Sequence, residues 1–439
     1  MSSSHTESNE MQSSSPEPSR RSFLQATAAT GAASTFLARS AYAAGSDVLK
    51  VGLIGCGGRG SGAAENAIKA DPGARLYAMA DMFEKRLSLA RNTLKRNQHI
   101  KDRFDVTDDS AHVGWDGYKK VIDSCDVVLL CSPPHFRPAH LEYAIQAGKH
   151  IFCEKPIATD MKGVRKVLEL SKQAEEKKLN LVSGLCWRYD YGVKATIQKI
   201  KDGAIGKIVS IQEDYLAGLL WRRNREPDWT DMQDQLANWL YYRWLSGDHI
   251  AEQFIHSLDK SLWLHDDVPP VKCYGMGGRQ CRTAPEFGNV YDHFYVVYEW
   301  ADGTRTYAAT RQMEGCYNET EDYIYGTEGS ARVLAHEIKD ASGKVVWKYK
   351  HEGGPKPSMY DVEHVALFNA IREGKPINNG KYMSYSTMMA LMGREACYSG
   401  QVVTWEQCMN SEQDFTPPAY EFGPAPEVVV HQPGKYKFS

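Results

Sequence analysis

A short apolar run, Leu49-Lys50-Val51-Gly52-Leu53-Ile54, leads directly into Gly55-Cys56-Gly57-Gly58-Arg59-Gly60. An alanine-rich stretch from Ser61 to Ala70 follows, and Asp71-Pro72-Gly73 stops it. A second run, Arg75 to Ala80, ends in Asp81 about twenty residues beyond Gly60. This order reads as strand, glycine turn, helix and strand, and few folds accept it. Gly55 permits the tight turn, Gly57 lets backbone approach a pyrophosphate, and Gly60 lets helix pack on strand. Free N–H groups and the helix dipole then favour phosphate at the turn. A carboxylate at Asp81 suits a ribose diol and repels a 2′-phosphate, so the pattern favours NAD over NADP.

Further units of the same kind follow. Asp126 to Cys131 reads as a buried strand, turned by Ser132-Pro133-Pro134-His135 into a helix from Pro138 to Ala147. His150 to Cys153 is another strand, ending in Glu154-Lys155-Pro156, and Met161 to Leu179 reads as a helix. Alternation of this kind implies a parallel sheet with helices on both faces. Ligands of such sheets lie beyond the carboxyl ends of the strands. Cofactor contacts are therefore expected from Gly55, Cys56, Gly57, Gly58, Arg59, Gly60, Asp81, Arg86, Ser132, Pro133, His135, Glu154 and Lys155.

At 439 residues the chain exceeds one ordinary core. Its net charge of -3 lacks the basic footprint of a nucleic-acid binder. No apolar run is long enough to span a membrane. The ten cysteines show no Cys-x-x-Cys spacing and several sit in apolar runs, so buried free thiols are expected and no metal site.

Residues 1–43 read as an address. A Ser-, Glu- and Pro-rich start precedes Ser19-Arg20-Arg21-Ser22-Phe23-Leu24, a mildly apolar stretch to Leu37, and Ala41-Tyr42-Ala43. The paired arginines, weak hydrophobicity and A-x-A site resemble a twin-arginine export signal. The expectation is export by the twin-arginine machinery to the periplasm or another extracytoplasmic space. That route carries folded proteins, so a cofactor can be loaded first.

The glycine motif, Ser132-Pro133-Pro134-His135 and Glu154-Lys155-Pro156 together resemble the Gfo/Idh/MocA family of glucose–fructose oxidoreductase and inositol dehydrogenase. The stretch Gly247 to Asp259 adds to the likeness, with Glu252 four residues before His256 and Asp259 three after it. Glu252 stands where the family more usually has Asp. The resemblance implies an α/β N-terminal Rossmann domain plus an α+β C-terminal domain with an open, mainly antiparallel sheet. Strand-type runs at 207–215, 290–300, 304–310 and 344–350 agree with it. The expected divisions are 44–180 for the NAD-binding domain, 181–405 for the C-terminal domain and 406–439 for an extended arm. Sheet pairing between subunits implies a homo-oligomer.

Hydride transfer from a secondary alcohol needs a base for the hydroxyl proton and a stabiliser for the oxygen. His256 is the expected base, Lys155 the stabiliser and relay partner, and Glu252 a helical neighbour that orients His256 or holds substrate. Arg188, His249 and Trp187 are further substrate candidates. The aromatic-rich span 215–244 suits a sugar ring collectively, although packing is the commoner role for each member. The expected activity is an exported NAD(P)-dependent oxidoreductase acting on a sugar, cyclitol or related polyol. The alternative is an NAD-dependent glycosidase that oxidises transiently and shows no net redox change. A binding protein that keeps the fold without catalysis is a third reading.

Overall fold

The computed structural model describes residues 47–438, so the export segment at 1–43 lies outside the described residues. Leu49–Ser439 form one compact unit built on two sheets. The first sheet is parallel, with six strands: β1 (Leu49–Ile54), β2 (Ala74–Asp81), β3 (Ala111–Val113), β4 (Val127–Leu130), β5 (His150–Cys153) and β6 (Leu181–Ser183). Their order is β3-β2-β1-β4-β5-β6. The order reverses between β1 and β4, and a crevice opens at the carboxyl ends of those two strands.

Residue choice explains the layers. Every residue of β4 is buried, as a strand covered on both faces requires. Helix α1 (Gly58–Ala70) buries Ala63, Ala64, Ala67 and Ile68, small side chains that let it lie close to the sheet. Helices α2 (Glu84–Arg96), α3 (Gly117–Ser124), α4 (Arg137–Gln146) and α5 (Met161–Glu176) complete the two covering layers. In α5 the Asp160 side chain accepts from the Gly163 amide, and Met161, Val164, Val167, Leu170 and Ala174 form the buried stripe.

The second sheet has nine strands and is mainly antiparallel. They are β7 (Ile208–Ala217), β8 (Lys272–Gly278), β9 (His293–Glu299), β10 (Arg305–Gln312), β11 (Glu319–Gly326), β12 (Gly329–Arg332), β13 (Glu337–Asp340), β14 (Val345–Lys348) and β15 (Val403–Thr404). The order is β14-β13-β12-β11-β7-β10-β9-β8-β15, and the β7–β10 pair is parallel. Helices Ile255–Leu264 and Gly380–Ser399 cover one face. The opposite face leaves Tyr274, Met276 and Tyr295 exposed.

Two later segments tie the halves together. Helix Met359–Glu373 returns to α1, where Arg372 pairs with Asp71 at 2.7 Å. The stretch 411–438 has no regular structure and runs as a strap. The Phe415 amide donates to Asp160 at 3.0 Å, the Met232 amide to the Gly423 carbonyl at 3.1 Å, and Tyr291 Oη to the His431 carbonyl at 2.7 Å. All ten cysteines are free, with Cys281 and Cys316 exposed.

Candidate active site

The glycine turn has the shape its sequence requires. Gly55 has φ +96°, and a Cβ there would strike the backbone of Cys131 and Ser132. A Cβ on Gly60 would collide with the Gly55 carbonyl. Gly57 and Gly58 instead face open space, with no atom within 4 Å of a built Cβ. The first pair holds the turn and the second keeps the cradle empty. Gly60→Ala is expected to lower thermal stability sharply. Gly57→Ala should leave the melting temperature nearly unchanged and weaken NADH binding. Parallel melting curves and NADH titrations of the two variants check this.

Asp81 ends β2 beside the turn. Its Oδ2 accepts from the Cys56 amide at 2.7 Å and its Oδ1 from the Phe83 amide at 2.9 Å. Each carboxylate oxygen keeps further acceptor capacity for a hydroxyl. Burial pushes the carboxyl pKa up against these stabilising bonds. A small apolar recess is lined by Gly55, Asp81, Trp115, Ser132, Phe136 and Leu236. Beside it opens a cavity of about 650 Å³ that runs along Cys56, Gly57, Gly58 and Ser61 at the start of α1. Arg86 lines both spaces. The open cradle, the carboxylate and the cavity fit an adenosine and pyrophosphate.

Arg59 serves a different purpose from the expected anion contact. It forms ion pairs with Glu154 and, at 3.3 Å, with Glu363 from the returning helix, and it stacks on Tyr360. Burial raises the Glu154 pKa, but Arg59 and Arg137 outweigh it and hold the carboxyl below its ordinary value. Glu363, buried beside that charge, is pushed well up. Arg59 thus fixes the Glu154-Lys155 turn from the glycine loop. Nothing in the spacing of the sequence linked Arg59 to Glu363.

Lys155 reaches the other half of the chain. Its Nζ donates to the Glu252 carbonyl and lies 3.4 Å from Glu252 Oε1. Glu252 ends the short helix His249–Glu252, and a break at Gln253-Phe254 separates it from the helix Ile255–Leu264 that carries His256. The expected single helix is therefore two, and the Glu252 carboxylate turns toward Lys155 rather than stacking below His256. The His256 ring lies 5.5 Å from that of Trp187. Burial, then repulsion by Lys155, Lys260 and Arg59, drives its pKa well below the ordinary histidine value. These three cations lie close enough to His256 to act on it. Lys155, Glu252, His256 and Trp187 thus share one locality with Arg59 of the glycine loop.

Lys260 escaped the sequence reading. One helical turn beyond His256, it donates to the His256 carbonyl at 2.8 Å, pairs with buried Asp322 at 2.9 Å and sits 3.5 Å over the Trp187 ring. Its i+4 position on the same helix was the available signal.

Three expected site residues are engaged elsewhere. Arg188 is clamped by Asp259 (2.9 Å) and Asp267 (2.6 Å) and stacks on Tyr382. A buried guanidinium with its donors spent on two carboxylates is structural rather than a substrate contact. Arg188→Ala is expected to cost about 3–5 kcal/mol by stranding buried carboxylate charge. Denaturant unfolding checks it. His135 donates to or accepts from Tyr420 Oη at 2.8 Å and packs edge-on to Trp244. Burial lowers its pKa to about 4, and its ring packs among Phe136, Trp244 and Tyr420. Its neighbours Phe136 and His140 line the recess instead. His249 is buried, with Nδ1 3.1 Å from the Tyr291 carbonyl and its ring against Phe294, so it belongs to the core.

Part of the aromatic span resolves into packing. Leu236, Leu240, Tyr241, Tyr242, Trp244 and Leu245 form a buried cluster against Phe83, Trp115 and Phe136. That cluster walls the recess lined by Gly55 and Asp81. Outside that cluster Trp221 is exposed, Trp229 lines the 650 Å³ cavity, and Tyr215 has its pKa raised to about 12 by burial and then by Glu252.

Comparison with known proteins agrees with this geometry. Residues 49–181 match the family described as "Oxidoreductase family, NAD-binding Rossmann fold", and residues 193–332 match the GFO/IDH/MocA C-terminal domain. Residues 17–36 match the twin-arginine translocation signal sequence. The chain is 31% identical to an inositol 2-dehydrogenase of Pseudomonas savastanoi pv. phaseolicola over 80% of its own length and 94% of that protein. It is 28% identical to a 2,7-anhydro-N-acetylneuraminate hydratase of Escherichia coli over 48% of its length, spanning about half (52%) of that relative. Its fold matches an aldose-aldose oxidoreductase from Caulobacter crescentus with a TM-score of 0.63 at 17% identity, covering 81% of this chain and 99% of the other. With the glycine cradle, the Glu154-Lys155-Pro156 turn and the open nine-stranded sheet in place, the chain belongs to the Gfo/Idh/MocA family of NAD-binding oxidoreductases.

Proposed function

We propose that this protein is an exported, NAD-dependent oxidoreductase acting on a secondary alcohol or ketone of a sugar, cyclitol or related polyol. The observation that carries the reading is the meeting of Lys155, Glu252 and His256 beside a loop residue, Arg59, whose neighbouring glycines leave the cradle open. When bound, the dinucleotide supplies a two-electron acceptor. The chain supplies proton handling and orientation. His256, kept neutral by burial and by nearby cations, can take the hydroxyl proton of a substrate. The Lys155 ammonium can hold the developing negative charge on that oxygen. Glu252 fixes Lys155, and Trp187 presents a ring face beside His256.

The residues matching a twin-arginine signal support export of a folded protein with its cofactor in place. An exported enzyme cannot rely on free NAD, so bound cofactor recycled by a second substrate completes the reading. Among the described residues no helix is long and apolar enough to cross a membrane.

The test uses the mature protein purified under native conditions. Small molecules released from it are identified by mass spectrometry, and absorbance at 340 nm is followed on adding myo-inositol or aldoses. Released NAD(H) and a substrate-dependent change at 340 nm support the reading. An empty, freely exchanging site with no response contradicts it. Release of aglycone from a glycoside without net NADH would favour the glycosidase alternative.

The exposed sheet face supports self-association. Tyr274 and Tyr307 both lie opposite Val297 in the register, and Met276 lies opposite Tyr295, so these side chains share one face. Exposed apolar side chains grouped on one sheet face support an interface there. The proposal is a homo-oligomer joined through it. Light scattering should give a multiple of the chain mass that falls to one chain in Met276→Lys/Tyr295→Lys.

A further inference from the structure

The loop at 218–230 carries three arginines in close succession, Arg222, Arg223 and Arg225. Two are accounted for. Arg222 donates to the Glu286 carbonyl at 3.2 Å, and Arg225 pairs with Asp231 at 2.8 Å. Arg223 is different. Its backbone is fixed on both sides by buried Asn238, which accepts from the Arg223 amide at 2.8 Å and donates to its carbonyl at 3.2 Å. Its guanidinium lies 4.9 Å over the Trp221 ring and has no ion pair among the described residues, and the residue lines the 650 Å³ cavity.

Arg86 faces the same space from the start of α2. It donates to the Ala237 carbonyl at 3.0 Å and likewise has no ion pair among the described residues. Burial first, and then repulsion from nearby Arg223, lowers the Arg86 pKa, against the opposing pull of Asp81. The other charged groups lining the cavity are occupied: Lys85 pairs with Glu226 at 3.1 Å, and Glu84 accepts from Ser88 at 2.7 Å. Two interacting like charges therefore line the cavity that Gly57 and Gly58 also line at a helix N-terminus. Such a pair is relieved by an anion that both can reach, and guanidinium forks match phosphate oxygens.

We propose that Arg223, with Arg86, closes on the pyrophosphate of the bound dinucleotide, so that the 218–230 loop is a clasp retaining the cofactor through turnover. The inference rests on the reading that a dinucleotide lies along Gly55–Gly60. It adds a residue of the second half of the chain to a site otherwise built by the Rossmann half. The clasp is hinged on structure already present. Trp229 packs on Phe83 with ring centroids 6.0 Å apart, and the Lys85–Glu226 pair ties the outer edge.

The experiment is NADH and NADPH titration of cofactor-stripped mature protein by fluorescence, with stopped-flow release rates, for wild type, Arg223→Gln and Arg223→Lys. Arg223→Gln should weaken NADH about 10- to 100-fold, chiefly through faster release, as loss of a charge-assisted contact implies. Arg223→Lys should fall between, and NADPH should weaken by the same factor. The melting temperature of the cofactor-free protein should not change, because Arg223 is exposed and unpaired. Unchanged NADH affinity in Arg223→Gln would overturn the clasp while leaving the dinucleotide site standing. Loss confined to NADPH would overturn it too, by placing Arg223 at a 2′-phosphate. Failure of the wild type to bind either nucleotide would remove the underlying site as well.

Discussion

Replacing Lys155 with methionine should lower kcat by about 10²- to 10³-fold while NADH affinity stays within a few-fold. The side chain reaches across to Glu252 from the end of β5, so its ammonium sits at the junction of the two halves rather than in the dinucleotide cavity. Methionine keeps the length and most of the packing and removes the charge. If Lys155 only braced the Glu252 carbonyl, stability would fall with activity. The expected split is a large kcat loss with a small change in unfolding. Single-turnover kinetics with preloaded cofactor, beside thermal melts, separate the two.

His256→Asn should cost about 10²- to 10⁴-fold, the range for removal of a positioned base. The pH dependence gives a second signature. A histidine base acts as the neutral imidazole, and burial with three nearby cations holds the His256 pKa well below the ordinary histidine value. Activity is then lost only as pH falls through that lowered pKa. The acid limb of kcat/KM should lie below about pH 6.5, the unperturbed histidine value. Lys260→Met removes one of the repelling cations and should move that limb upward, toward the ordinary value. A limb that stays in place in His256→Asn would assign the titration to another group.

Local chemistry made much of this molecule legible in its sequence. The glycine turn, the strand ending at Asp81 and the strand leading into Glu154-Lys155-Pro156 stand at the expected places because each depends on neighbours within a few residues or on a strand end. The alternating strands of the second sheet read for the same reason: β9, β10 and β14 fall within the expected runs or a residue or two from them. What did not read was pairing across long separations. Arg59 finds Glu363, Arg188 finds Asp259 and Asp267, and His135 finds Tyr420 only once the chain has folded back on itself. Each of these residues looked available because its partner lies far away in sequence. The break between Glu252 and His256 is a related case. Gln253-Phe254 carries no breaker residue, and the tertiary pull of Lys155 on the Glu252 carbonyl coincides with the end of the first helix.

In the proposed enzyme one turn holds a pyrophosphate and so sets a nicotinamide ring against Lys155 and His256. A crystal structure of the mature protein with NADH bears on it most directly. The phosphates are expected over Gly57 and Gly58, the ribose hydroxyls on Asp81, and the reactive face of the ring toward Lys155 and His256. A dinucleotide bound with its nicotinamide end directed away from those two side chains would contradict it.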